Sequence, residues 1–287
     1  MTDSNLTKIA FVGDYLPRKC GIATFTHDLR GAVARASSAQ CVVVPVDDIA
    51  GGYDYSSEVS FQISEEDLDA YRRAADYLNF SNVDVISLQH EFGIFGGLGG
   101  SHILAFLRDI RIPVVTTLHT VLSEPDATQR RVMEQLTELS TRLVVMTQRS
   151  RETLCQTYAV PDSKVDLIAH GIPDAPYADP SQLKEQFGVE GKHVALTFGL
   201  LSPNKGIEHV LKAIPNVIRE FPDFVYLILG ATHPSLVRSE GERYRISLER
   251  VAKELGITKN VSFYNRFVEL EELTQFIGAA DLYITPY

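Results

Sequence analysis

The chain has 287 residues, a net charge of −10, 45% hydrophobic and 22% charged residues, three cysteines and no tryptophan. So much apolar content with so little charge excludes an intrinsically disordered chain. The acidic balance also argues against the broad basic field that wholesale binding of nucleic acid or anionic lipid requires. At this length a single core stops growing, so two domains are expected.

Cys20, Cys41 and Cys155 are far apart and odd in number, which fits neither a disulfide framework nor a zinc-ligand spacing. Reduced thiols are the simple reading. No apolar run reaches the roughly 18 residues of a membrane span, and no apolar stretch precedes the first strand. The expectation is a soluble, cytoplasmic protein.

Short apolar runs alternate with helical patterns, as in parallel βαβ units buried on both faces. Strands are expected over 8–13, 41–46, 83–89, 113–119, 143–146 and 165–168. Helices are expected over 22–36, 64–79, 101–110, 127–140 and 149–158. A proline-rich stretch follows, read as a linker with one short helix. The alternation then restarts, with strands 193–198, 224–229, 261–263 and 282–285 and helices 207–220, 244–255 and 270–277. The fold class is α/β, two Rossmann-like doubly wound domains over 1–187 and 188–287. A parallel strand normally feeds a covering helix, so an ending at Pro286 and Tyr287 reads as a C-terminally truncated second domain. A small complete domain is the alternative.

Ligands of open α/β sheets bind beyond the carboxyl ends of the strands, so the loops there matter most. The first, GDYLPRKCGIATFTHDL, leads into a helix opened by Gly21, where backbone N–H groups with Arg18 and Lys19 could hold a phosphate. It carries neither G-x-G-x-x-G nor a Walker ending, and a solvated turn with two surface cations is equally consistent with it. The second, HEFGIFGGLGGSH, has five glycines between Gly93 and Gly100. It reads as a close ligand contact, a mobile lid or a flexible surface loop. His90 and Glu91 open it as a possible polar pair on the acceptor side. They lack the second histidine of a metal-binding H-E-x-x-H, and no metal site is expected.

His119 ends the strand PVVTTL, where its imidazole could face a cleft and bond a sugar hydroxyl. A satisfied structural histidine is the plainer alternative. In LTFGLLSPNKGIEHVLKAI, Lys205 and Gly206 stand where a strand-to-helix turn would present an ammonium and helix N–H groups to a pyrophosphate. A similar turn follows Leu229, where Gly230 leaves room beside the strand end. Arg238, Arg243 and Arg245 follow as cations or as a solvated face.

Together TTLHT, KVDLIAHGI, FGLLSPNKGIEHVLKA and VSFYNRFVELEELTQFIGAADLYITPY resemble the retaining, nucleotide-sugar-dependent glycosyltransferases of family four, which have the GT-B fold. The resemblance spans nearly the whole chain. It implies that Gly21 lies near the donor diphosphate and that His119 contacts the donor sugar near the reacting carbon. It further implies that Lys205, followed by Gly206, neutralises the leaving diphosphate without a metal. The implied partners are a nucleotide-diphosphate sugar as co-substrate and a sugar or glycoconjugate acceptor, with no other cofactor and no nucleic acid.

Three departures stand out. Leu200 occupies the position of the family's arginine, so Arg18, Lys19 or Arg266 would have to replace that cation. Asn265 and Arg266 stand where the family often has a glycine, and the family's E-x7-E motif lies beyond Tyr287. That last departure implies low activity of the chain on its own. Another GT-B activity, an epimerase or a phosphorylase, and a non-catalytic nucleotide-sugar-binding protein are the alternatives.

Overall fold

The structure, a computed structural model, describes residues 6–172 and 174–286. The chain divides into two compact units, Met1–Gly171 and Ile172–Tyr287.

In the first unit the strands are Lys8–Gly13 (β1), Gln40–Asp47 (β2), Ile63–Ser64 (β3), Val85–His90 (β4), Val114–Leu118 (β5), Arg142–Val145 (β6) and Val165–Leu167 (β7). They form a parallel sheet in the order β3, β2, β1, β4, β5, β6, β7. The order reverses between β1 and β4, the switch point at which such sheets open a crevice beyond their strand ends. Helices Gly21–Ala36 (α1), Leu68–Asn79 (α2), Ile103–Asp109 (α3), Ala127–Leu139 (α4) and Gln148–Thr157 (α5) cover it. Leu29 and Val33 of α1 pack with Ile9, Phe11 and Val43 on one face. On the other, α2 buries Tyr71, Ala74, Ala75 and Leu78, a helical stripe, against Ala10, Val12 and Leu88.

The second unit holds Pro180–Gln186 (α6), His193–Phe198 (β8), Ile207–Glu220 (α7), Phe224–Leu229 (β9), Pro234–Glu240 (α8), Arg243–Glu254 (α9), Val261–Tyr264 (β10), Leu270–Ala279 (α10) and Leu282–Tyr283 (β11). Its parallel sheet runs β10, β9, β8, β11, so the order reverses between β8 and β11. The two-domain α/β expectation therefore holds, with a smaller second sheet.

Several boundaries move. The units divide at 171/172 rather than at 187/188. The short helix α6 belongs with the second unit because Phe187, which follows it, stacks on Phe276 at 4.0 Å and Lys184 pairs with Asp281 at 2.7 Å. The expected helix 64–79 starts at Leu68, where Asp67 caps it by accepting from the Asp69 N–H. Residues 63–64 pair instead with Val46 and Asp47. The unexpected α8 is started by Pro234 and by His233, whose ring accepts from the Ser235 N–H. The glycine-rich loop is packed, not open: a Cβ on Gly96 would lie 2.0 Å from the Glu65 carbonyl oxygen. Among the described residues no helix is long and apolar enough to cross a membrane.

Gly230, at φ +147°, shows how tightly the second sheet closes, since a Cβ there would sit 1.9 Å from the Gly199 carbonyl oxygen. That oxygen is backbone and cannot swing aside. Gly230→Ala is expected to lower the unfolding free energy by more than about 2 kcal/mol in urea titration. Gly21→Ala, with no atom within 4 Å of the added Cβ, should leave stability unchanged or raise it by about 0.5–1 kcal/mol.

Candidate functional site

In the first unit the expected residues gather at the ends of β1, β4 and β5. The β4–β5 register sets His90 opposite Leu118, and the His119 N–H donates to the His90 carbonyl at 3.0 Å. His119 therefore follows β5 directly. Its side chain lies on the α1 face, where its Nε2 bonds Gln89 Oε1 at 3.1 Å and the Phe25 ring meets it edge-on at 4.7 Å. Phe25 also meets His170 beyond β7, ring centroids 5.1 Å apart. Burial, reinforced by the nearby His170, lowers the His119 pKa to about 4, so the ring is neutral at pH 7.

His90 and Glu91 do not form the expected polar pair. His90 turns to the opposite face, fully buried, parallel to Phe95 and edge-on to Phe92. Its two ring nitrogens have no hydrogen-bond partner among the described residues. Burial, then the neighbouring His119, pushes its pKa down to about 3. Glu91 instead accepts from the Phe92 N–H at 3.0 Å and from the Thr120 hydroxyl, tying the first turn of the loop to the end of β5.

Gly21 opens α1, and no side chain caps that helix at Cys20. Arg18 is committed elsewhere: its guanidinium bonds Asp14 at 2.8 Å and lies 3.6 Å from Asp48 and 3.7 Å from Glu65. Burial raises the Asp14 pKa against the opposing pull of Arg18. Only 12% of the Arg18 side chain is exposed, so it serves this internal carboxylate cluster rather than a surface anion. Lys19 is exposed.

In the second unit Pro203–Lys205 form one 3-10 turn after β8, and Gly206 follows in the left-handed conformation at φ +59°. No side chain caps α7, and a Cβ on Gly206 would lie 2.8 Å from the Pro286 carbonyl oxygen. This places the half-buried Lys205 and the α7 N-terminus beside the residues after β11, at the switch point of this sheet. Glu208 in the first turn of α7 accepts from the Tyr244 hydroxyl at 2.9 Å. Gly230 follows β9, its N–H bonded to the Tyr264 carbonyl at 2.9 Å. Arg266, a candidate substitute cation, is paired with Glu272 at 3.1 Å.

Gln89, Phe25 and His170 were not expected. Gln89 had a signal, because the polar Ser87 and Gln89 alternate with Ile86, Leu88 and His90 along an otherwise apolar strand.

Two parallel-sheet α/β units, each with a switch point at its strand ends, make this a two-domain Rossmann-like protein. The described family Glycosyltransferase Family 4 matches residues 21–175 and Glycosyl transferases group 1 matches residues 180–287. The chain belongs to glycosyltransferase family 4. It is 29% identical over 189 residues to a D-inositol 3-phosphate glycosyltransferase of Segniliparus rotundus, a match covering 61% of this chain and 40% of that protein. It is 27% identical over 130 residues to a GDP-mannose-dependent alpha-(1-6)-phosphatidylinositol monomannoside mannosyltransferase of Mycolicibacterium smegmatis, covering 44% of this chain and 31% of that one. The chain thus spans less than half the length of these curated relatives. Anabaena HepE in complex with UDP and glucose superposes with a TM-score of 0.71 at 17% identity, over 96% of this chain and 73% of that one. Sucrose-phosphate synthase of Thermosynechococcus elongatus gives 0.74 at 16% identity, over 98% and 75%.

The neutral histidines set a pH dependence. An unfolded histidine takes its proton near pH 6.5, whereas folded His119 does so only near 4. Its contribution is fully present above pH 6.5 and is lost as the pH falls toward 4, at up to about 1.4 kcal/mol per unit. Asp14, whose pKa burial raises to about 7, acts in the opposite sense, so the comparison between variants isolates the histidine. His119→Gln should flatten the decline of unfolding free energy between pH 6.5 and 4.5, measured by urea titration at each pH.

Proposed function

We propose that this protein is a retaining glycosyltransferase that moves a hexosyl group from a nucleoside-diphosphate sugar to an acceptor hydroxyl on a sugar or glycoconjugate. The observation that carries the reading is the Lys205–Gly206 turn, which brings Lys205 into the chain immediately before the N-terminus of α7, at a sheet switch point. Relatives named for GDP-mannose and HepE bound to UDP and glucose support a nucleotide sugar as donor.

The chemistry follows from charge. When the carbon–oxygen bond to the diphosphate breaks, negative charge grows on the leaving phosphate and positive character on the anomeric carbon. Lys205 and the helix N–H groups stabilise the first more than they stabilise the intact donor, so they act on the transition state. In this reading they do the work of a metal ion, and no cofactor takes part. His119 meets the sugar as a neutral ring, which adds no repulsion to the developing carbocation. Gly21 and the start of α1 offer a second set of backbone N–H groups to a phosphate, while Gly206 and Gly230 let the loops after β8 and β9 pack against the Pro286 and Gly199 carbonyls. A net charge of −10 and three free cysteines support a cytoplasmic setting without a nucleic-acid partner.

The test offers GDP-mannose, UDP-glucose and ADP-glucose in turn to the protein in its natural reading frame and follows transfer and product anomer by NMR. Transfer with retention that survives EDTA is expected. Lys205→Ala should lower kcat/KM by about 10²-fold or more, with the melting temperature within a few degrees of wild type. Equal turnover in that variant removes the assigned role.

A second reading, a non-catalytic nucleotide-sugar-binding protein, draws on the cations. Leu200 stands where the family has arginine, Arg18 is held by three carboxylates and Arg266 by Glu272. Saturable nucleotide-sugar binding with no turnover decides for it.

A further inference from the structure

Gln89 is fully buried, one residue before the end of β4, and its amide has two different neighbours. Its Nε2 donates to Ser87 Oγ at 3.0 Å, which leaves Oε1 facing His119 Nε2 at 3.1 Å. A carbonyl oxygen only accepts, so the imidazole nitrogen it meets carries the hydrogen. In the neutral ring the lone pair is then on Nδ1. Nδ1 has no hydrogen-bond partner among the described residues.

Packing fixes the stem of the side chain, and the two hydrogen bonds orient its amide. Across the switch point β1 ends on Gly13, where a Cβ would lie 2.9 Å from Gln89 Cβ and 3.2 Å from the Gln89 backbone carbonyl oxygen. The register sets Gln89 opposite Thr117, two residues before His119 and on the same face of β5. Phe25 of α1 closes the other side of the imidazole. The titratable group facing the ring is His170 beyond β7, which opposes a second proton; His90 of β4 lies on the other face of the sheet. Phe25 adds none.

We infer that Gln89 is a positioning residue that fixes His119 as its Nε2–H tautomer and so presents Nδ1 as a hydrogen-bond acceptor to a hydroxyl of the donor sugar. The identity of the ligand rests on the glycosyl-transfer reading; the tautomer does not. The recognised group is then a hydroxyl that donates, and an ether or keto oxygen at the same place leaves Nδ1 unsatisfied. Such a mismatch at a buried polar contact is what lets a site discriminate.

The full chain labelled with 15N-histidine gives the tautomer directly, the His119 signals being those missing from His119→Gln. Wild type should show hydrogen on Nε2. Gln89→Glu, whose carboxylate accepts at the same point, should keep that tautomer and raise the pH at which His119 takes its second proton by about 1–3 units. Gln89→Leu should let the Nδ1–H form appear and lower kcat/KM about tenfold or more, with the nucleoside diphosphate Kd within twofold of wild type. Hydrogen on Nδ1 in the wild type, an unmoved titration in Gln89→Glu, or an unchanged tautomer in Gln89→Leu overturns the inference. Wild type with the Nε2–H tautomer but no transfer from any donor removes the glycosyl-transfer reading and leaves the tautomer assignment standing.

Discussion

Parallel strand ends that lie side by side at a crevice must give up side chains where they meet, and both units of this protein obey that constraint. In the first, Gly13 yields to Gln89. In the second, Gly230 yields to the Gly199 carbonyl, leaving no room for even a methyl group. Hydrogen-bonded neighbours 4.7–4.9 Å apart have little space for a side chain from each to turn inward at the same level. Removing one lets the other strand's backbone or polar side chain take a defined position. Gly13 leaves the space that the Gln89 stem fills, and Gln89 in turn bonds His119.

Electrostatics at the strand ends divide into charges that are spent and charges that are held back. Arg18 is spent inside the protein, against Asp14, Asp48 and Glu65, and Arg266 is spent on Glu272. His119 and His90 are held neutral by burial. The resulting crevice of the first unit is polar without being strongly charged, a setting suited to hydroxyl groups. In the second unit Glu208 is bonded to Tyr244, and Lys205 precedes the uncapped start of α7, where the helix dipole is positive.

The strands were legible because parallel strands buried on both faces are uninterrupted apolar runs. The expected 8–13 and 193–198 coincide with β1 and β8, and 224–229 with β9. The position of His119 at a strand end was legible because it follows the apolar run of β5 directly, and that of Lys205 because a proline-marked turn and Gly206 separate β8 from the periodic helix α7. The two-residue β3 was not, since Ile63–Ser64 is too short to show a period and its strand character comes only from pairing with β2. The glycine-rich loop was misjudged because glycine admits both close packing and mobility, and nothing local tells them apart. Gly96 is close to the Glu65 carbonyl, a neighbour 31 positions away in sequence.

The sequence by itself determined the two α/β units, the strands and helices within them, and which loops lie at the carboxyl ends of the strands, because these follow from local periodicity and composition. Only the tertiary structure decided which polar groups remain available there. It turned His90 into the apolar layer while His119 faces α1, enclosed Arg18 among carboxylates, and set Gln89 against the ring of His119. The physical reason is that a side chain's face, partner and protonation state depend on neighbours brought in by strand pairing and helix packing. Those neighbours are tens of residues away, beyond the reach of any local pattern.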